Sequence, residues 1–425
     1  MRVLVTGASG FIGRHVVAGL LAAGHEVVGG ARSTRELARR FPGLATVRVD
    51  FNRDLHVGDW LPRLEGVDAV VNCAGILQAR RGQDIQAIHA GAPAALFEAC
   101  ERSGVSRVVH ISAISADEAA DTDYARTKLA AETALQERDL NWVILRPSLV
   151  YARGSYGGTS LFRGLAALPG LIPLVGRGDQ PFQPVHMDDL VAGVIRFLAP
   201  DAPARVRLDV GGPETLSLKE MLMRWRGWMG LSAAYFVAVP VALVQLASWL
   251  GDRLGGGPLS STSLRQMLHG NAGAGPEFTQ LTGVQPRSLD EALAREPAHV
   301  QDRWHARLYF VRPLLRLALA AVWIGTALAT VTSGPEVFAA AGMAHPPEPW
   351  LVYATSALNL LVGLVLLWGR WPVWIGIVQL ALVGAYTIAM SVVAPALWAD
   401  PFGPLLKNLP ILVAILALMA MEDDR

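Results

Sequence analysis

Met1-Arg2-Val3-Leu4-Val5-Thr6-Gly7-Ala8-Ser9-Gly10-Phe11-Ile12-Gly13 decides how the rest of the chain is read. Residues 1–6 are rich in aliphatic and β-branched side chains and predict a strand. Gly7 to Gly13 is a glycine turn, and Val16, Val17, Leu20 and Leu21 follow at helical spacing. Strand, glycine turn and helix in that order form the unit that wraps a dinucleotide pyrophosphate. Gly7 allows the tight turn, Gly10 lets the backbone approach the phosphates, and Gly13 lets helix and strand pack closely. Ser9, Phe11 and Ile12 share the loop and first helical turn, whose unpaired N–H groups suit an anion. They join the glycines as expected cofactor-binding positions.

The pattern continues outward. Val27 to Ala31 reads as a second strand, and Arg32 follows where an adenosine ribose would lie. An acidic residue there accepts from the ribose hydroxyls of NAD, whereas a cation suits the extra phosphate of NADP. Arg32, with Arg35 close behind, therefore favours NADP(H) over NAD(H) in this reading. Val47 to Asp50 predicts a third strand, with Asp50 placed to accept from the adenine amino group. Val67 to Asn72 predicts a fourth, running into Cys73-Ala74-Gly75, where small residues let the backbone lie along the cofactor. Ala87 to Cys100 reads as a helix and Ser106 to Ile111 as a fifth strand, followed by Ser112 and Ser115. Tyr124 and Lys128 stand four apart in a helical pattern, hence on one face, where an ammonium lowers the phenol's pKa. Trp142 to Pro147 is a sixth strand and Leu208 to Gly212 one more strand and turn. His186 suits a structural role better than a catalytic one, and no metal-ligand set is expected.

The 425 residues carry a net charge of +1, which argues against a nucleic-acid surface. Cys73 and Cys100 are the two cysteines, and both fall in apolar αβ surroundings. A reducing compartment fits them better than a disulfide framework. No basic patch with an apolar secretory segment precedes the first strand, so no signal peptide is expected. Ala233 to Leu250 is apolar but broken by Pro240, Gln245 and Ser248, and reads as an amphipathic or buried helix that can lie on a membrane surface.

After about residue 305 charge nearly vanishes. Apolar segments at 313–331, 350–368, 372–395 and 405–421 are each long enough to cross a bilayer of about 30 Å. Arg312, Arg316 and Arg370 assign the first entry and the second turn to the cytoplasm, with Lys407 as the one dissenting charge. The carboxyl terminus then returns to the cytoplasm, beside the amino-terminal domain, in the inner (cytoplasmic) membrane. Asn359, Gln379 and Tyr386 are polar but uncharged within the spans, which suits helix joining better than transport.

Val5 to Gly13, Asn72-Cys73-Ala74-Gly75, Tyr124 with Lys128, Arg146-Pro147 and Gln183 to Asp189 together resemble the short-chain dehydrogenase/reductase superfamily. The resemblance covers about residues 1–300 and is to its extended and atypical branches. These include the accessory dinucleotide-binding subunit of respiratory complex I and NmrA-like proteins. The four-span tail resembles the DoxX-like membrane module. The fold so implied is α/β, a Rossmann-type doubly wound parallel sheet with a smaller substrate-side region, followed by a four-helix transmembrane bundle. The expected divisions are 1–230, 231–305 and 306–425.

By the same resemblance Tyr124 is the acid or base, and Lys128 holds the nicotinamide ribose. Asn72, Ala74, Gly75 and Pro147 line the cofactor. Ser112 corresponds to a structural serine; the position two further on, usually Ser or Thr, is Ile114, leaving neighbouring Ser115 as the substitute. The chain from Ser112 to Tyr124 is shorter than the family's usual spacing. Two readings lead, a membrane-anchored oxidoreductase acting on a lipophilic carbonyl, alcohol or quinone-like molecule, and a nucleotide-binding scaffold or sensor of a membrane complex; an epimerase, dehydratase or other chemistry on the same fold stays open behind them.

Overall fold

The computed structural model describes residues 1–77, 82–117, 119, 121–253, 260–334, 348–369 and 371–422. Arg370, which the topology reading uses, lies outside them. Two compact units emerge, Met1–Ala306 and Arg307–Arg425.

The first unit is built on strands β1 (Arg2–Thr6), β2 (Glu26–Ala31), β3 (Ala45–Arg48), β4 (Ala69–Asn72), β5 (Arg107–Ile111) and β6 (Asn141–Pro147). Short strands follow: β7 (Val150–Tyr151), β8 (Leu171–Val175), β9 (Pro181–Phe182) and β10 (Val185–His186). β11 (Val206–Val210), β12 (Leu216–Ser217) and β13 (Tyr235–Val239) complete the set. Seven strands form one sheet in the order β11-β6-β5-β4-β1-β2-β3. Every pairing in it is parallel. The remaining strands pair in twos, β10 with β7, β12 with β9 and β13 with β8.

The helices are α1 (Phe11–Ala22), α2 (Thr34–Arg40), α3 (Val57–Trp60), α4 (Ala92–Ser103), α5 (Asp123–Gln136) and α6 (Gly158–Ala166). Next come α7 (Met187–Phe197), α8 (Leu218–Trp228), α9 (Val241–Arg253), α10 (Ser261–His269), α11 (Glu277–Thr282) and α12 (Leu289–Arg295). Val3 and Val5 face one core with Val16, Leu20, Leu190 and Phe197. Leu4, between them, faces the other with Val70, Leu96, Phe97 and Leu135. A parallel sheet covered by helices on both sides buries both faces of its central strands, which is why β1 reads as an unbroken apolar run. Full burial of one such side chain contributes about 1.5–3 kcal/mol. A third core, with Phe162, Leu174, Leu222 and Trp225, fills the smaller region beyond β6.

One expectation fails here. Ala233 to Leu250 is not a single helix: Tyr235–Val239 is a strand, and the helix starts only at Val241. Pro240 lacks the N–H that would carry one element into the next.

The second unit holds most of α13 (Val300–Ser333), with α14 (Pro349–Trp368), α15 (Pro372–Val393) and α16 (Asn408–Ala420). Three of these are long and apolar enough to cross a membrane, whereas α16 is a shorter apolar helix. At 1.5 Å per residue its 13 residues rise about 20 Å. The expected fourth span of 405–421 is thus helical only from Asn408 onward. Arg312 and Arg316 nevertheless both pair with Glu422, just after α16. The end of the last helix therefore returns to the head of the first span. Trp323 Nε1 donates to Gln379 Oε1 at 2.9 Å, and Tyr386 Oη to Asn359 Oδ1 at 3.2 Å, so the uncharged polar residues join helices.

Candidate dinucleotide and catalytic site

The sheet order reverses between β1 and β4, the point at which open parallel sheets leave a crevice at the carboxyl ends of their strands. Two loops leave these strands side by side. Thr6 Oγ1 donates to Asn72 Oδ1 at 2.7 Å, and Ala74 N donates to the same oxygen at 3.2 Å. Asn72 Nδ2 in turn donates to His110 Nδ1 at 3.1 Å. Asn72 thus ties the loops together from below.

The glycines are required by contact. Gly7 has φ +68°, and a Cβ on it would lie 2.8 Å from Ala74 N. A Cβ on Gly13 would lie 2.1 Å from Gly7 O. Ser9 and Gly10 are exposed at the mouth, and no side chain caps α1 at Gly10. The first-turn N–H groups of Phe11, Ile12 and Gly13 are left to an external acceptor. An open helix amino terminus behind a loop with no room for side chains fits a pyrophosphate.

On the other flank, α5 presents Tyr124 and Lys128. Lys128 Nζ donates to Ile111 O at 3.0 Å and Ala74 O at 3.4 Å. Burial lowers its pKa to about 8, against the pull of Cys73 and Glu132. Burial pushes the Tyr124 phenol up to about 12. The lowering expected from Lys128 is absent because the ammonium turns to the carbonyls ending β5 and following β4. The Tyr124 hydroxyl makes no hydrogen bond among the described residues.

His89 was not singled out from sequence, yet it connects these parts. It lies in a single π-helical turn, Ala87–Gly91, just before α4. Ile76 N donates to His89 Nε2 at 2.9 Å, so the proton sits on Nδ1. That nitrogen donates to Thr127 Oγ1 at 3.0 Å, and Thr127 donates onward to Asp123 O at 2.6 Å. Burial first, then the charge of Lys128, drives the His89 pKa down to about 2. The ring stands edge-on to Tyr124 with centroids 5.4 Å apart. A Cβ on Gly75 would meet Lys128 Nζ at 3.1 Å and His89 Nε2 at 3.3 Å.

The two serines divide. Ser112 Oγ donates to the buried Glu132, which also pairs with Arg146 and Arg207. Ser115 is buried and makes no side-chain hydrogen bond among the described residues. Arg146 holds the segment between them, donating to the carbonyls of Ala113, Ile114 and Ala116. Pro147 accepts from Ile114 N at 3.0 Å at the end of β6. Asp50 lies just past β3, where its carboxylate accepts from Asn52 N at 3.2 Å. Phe11 stacks on Tyr156 with centroids 5.4 Å apart, at the entry to the smaller region.

His186, Asp188 and Glu296 bring potential ligand atoms within 4.8 Å of one another. Sequence spacing could not reveal a cluster drawn from such distant positions. His186 Nδ1 already accepts from Asp188 N at 3.3 Å as the cap of α7, which makes the cluster a helix-capping arrangement.

Crevice, glycine loop and lysine-bearing helix define an NAD-binding Rossmann domain of oxidoreductase or epimerase type, followed in the chain by a bundle of apolar helices. Residues 3–211 match the NAD dependent epimerase/dehydratase family, and residues 320–416 the DoxX-like family. The protein is thus an epimerase/dehydratase-type domain, related to the short-chain dehydrogenases and to the complex I subunit, fused to a DoxX-like membrane module.

The chain is 30% identical over 205 residues to ceramide reductase of Caulobacter vibrioides, covering 46% of this chain and 60% of that protein. It therefore spans less than two thirds of that relative's length. It is 25% identical over 316 residues to subunit 9 of the NADH dehydrogenase [ubiquinone] 1 alpha subcomplex of Mus musculus, covering 71% of this chain and 81% of the subunit. Among solved structures, UDP-glucuronic acid 4-epimerase from Bacillus cereus, in complex with UDP-glucuronic acid and NAD, shares the fold. The TM-score is 0.52 and the identity 21%, over 73% of this chain and all of that one.

These comparisons overturn the preference for NADP(H). The matching family is NAD dependent, and the similar structures that name a nicotinamide cofactor name NAD. Locally, the Arg32 guanidinium is taken by Gln83, whose carboxamide oxygen accepts from both terminal nitrogens at 3.0 and 3.1 Å. One arginine after β2 is too slender a basis for a phosphate site.

Proposed function

We propose that this protein is a membrane-anchored, NAD-dependent oxidoreductase acting on the carbonyl or alcohol of a lipophilic molecule. The observation that carries the reading is the Tyr124–Lys128 face of α5, set against the loops that end β4 and β5. NAD, when bound, supplies a hydride acceptor or donor at its nicotinamide ring. Tyr124 Oη, without a hydrogen-bond partner among the described residues, gives its proton to a carbonyl oxygen in the reducing direction and takes it back in the other. Lys128, one turn on along the same face of α5, holds the nicotinamide ribose. Gly7, Ser9, Gly10, Phe11, Ile12 and Gly13 hold the pyrophosphate; Asn72, Ala74, Gly75 and Pro147 line the rest, and Asp50 meets the adenine. Ser115 orients the substrate oxygen.

The membrane module and the relative named ceramide reductase both support a lipid-like substrate. Arg312 and Arg316 at the head of the first span support a cytoplasmic amino-terminal domain in the inner membrane. The purified full chain, supplied with NADH and a panel of long-chain ketones and quinones, should oxidise the nucleotide. Tyr124→Phe should remove at least about 100-fold of turnover while leaving nucleotide affinity intact. Equal turnover by that variant would end the proposal.

A second reading is favoured by one observation: the Ser112 hydroxyl is engaged with Glu132 and stands in for no substrate contact. In that reading the domain holds nucleotide as a scaffold or sensor for a membrane complex. Copurified nucleotide identified by mass, with no turnover across the panel and a partner recovered in mild detergent, would select it.

A further inference from the structure

From Gly227 to Gly251 the chain has no charged side chain, yet much of this segment faces outward. β13 pairs only with β8, in the register Leu171↔Tyr235 and Pro173↔Val237. Leu171 is 58% exposed and Tyr235 80%, so alternate positions of this small sheet turn apolar surface to solvent. α9 extends the same character. Leu243, Leu246 and Leu250 share one helical face and are exposed, while Ser248, across the helix from them, is its buried residue. Exposed apolar side chains in this number, on a segment without charge, mark an interaction surface.

We propose that the β13–α9 surface lies in the headgroup layer of a phospholipid bilayer. The inference concerns the surface alone and does not depend on the catalytic reading. Four observations favour lipid as the occupant. The helix has 13 residues, about 20 Å, too short to cross and suited to lying flat. From Leu243 to Leu250 its aliphatic face carries no charge, and Arg253, one turn past Leu250, closes that face. Trp249 on α9 and Tyr235 on β13 are exposed amphipathic rings of the kind that settle at headgroup depth. The Arg253 guanidinium sits 3.4 Å over the Trp249 ring, which puts a cation at phosphate level when the leucines are immersed. The chain also brings its own bilayer, since α13, which leads into the first span, begins at Val300.

The test uses the full chain in nanodiscs of phosphatidylcholine and phosphatidylglycerol. Leu246→Cys carries an environment-sensitive fluorophore, and Arg102→Cys, exposed on α4, carries the same label as reference. The unsubstituted protein, treated identically, gives the background from Cys73 and Cys100. When lipids bearing a nitroxide near the headgroup replace part of the bilayer, emission at position 246 should fall at least about twofold while the reference holds. Retained helical circular dichroism certifies the fold. Quenching at position 246 no greater than at 102 overturns the proposal. So does disulfide cross-linking of two chains through position 246 without lipid quenching, which would assign the face to a second copy.

Discussion

His89 carries more of the site than its place in the sequence suggests. Its two ring nitrogens bridge Ile76 on the β4 loop and Thr127 on α5, so removing the ring takes the acceptor from the part-buried Ile76 N–H and cuts the tie between loop and helix, although Thr127 keeps its bond to Asp123 O. His89→Ala should lower stability by about 1–3 kcal/mol and weaken NAD binding, whereas His89→Gln, able to accept and donate at once, should recover part of both. Thermal unfolding and equilibrium nucleotide binding check this. Lys128 gives a pH signature. The unfolded chain keeps this proton to about 10.5, and the folded chain sheds it near 8. Below about 8 the lysine is charged in both states and folding bears the full cost of burying it. Between the two values stability rises with pH. Lys128→Met should therefore gain stability over the parent, by at most about 3 kcal/mol below pH 8, with the gap closing towards 10.5. A gap independent of pH would contradict the argument. Tyr124 and Lys128 were legible because their relation is local, four residues on one helix. His89, Glu132 and Arg146 were not, because each acts on residues that only the folded sheet brings near.

At the level of elements, the β1–α1 junction has no room for a side chain. Gly13→Ala puts a methyl carbon 2.1 Å from Gly7 O, so helix and loop must part. NAD affinity should fall more than about tenfold and stability by about 1–3 kcal/mol, read by isothermal titration and by thermal unfolding. Retained affinity would mean that the loop is not the pyrophosphate site. All seven strands of the large sheet were foreseeable from apolar runs and glycine punctuation, with ends shifted by a few residues. The Ala233–Leu250 stretch was not, because β13 owes its conformation to β8, far earlier in the chain. Local periodicity holds no record of that partner. The cofactor choice failed for a related reason: Arg32 has the right charge at the right strand end, but Gln83 occupies it.

For the molecule as a whole, the division at Ala306 was visible as a collapse in charge density. The closing of the bundle was not. Burial resists ionisation of Glu422, yet hydrogen bonds from Arg312 and Arg316 hold its carboxyl below the usual range. Glu422→Gln leaves two cations with one neutral amide oxygen in place of the carboxylate that each of them now contacts. The bundle should lose about 3 kcal/mol, seen as earlier thermal unfolding in detergent. Unchanged unfolding would mean that the pair is solvated and idle. The clasp brings the end of α16 back to the head of the first span, a closure that the hydropathy of α16 does not carry.

The position of β1 in mid-sheet sets a schedule for biosynthesis. The strand made first must wait for β4 to flank it, and the edge closes only with β11, at residue 210. The second unit starts at Arg307. At roughly 5–20 residues per second, the ribosome leaves on the order of ten seconds between these points. That pause lets a slow, long-range topology finish in water before the greasy carboxyl-terminal helices demand an insertion machine.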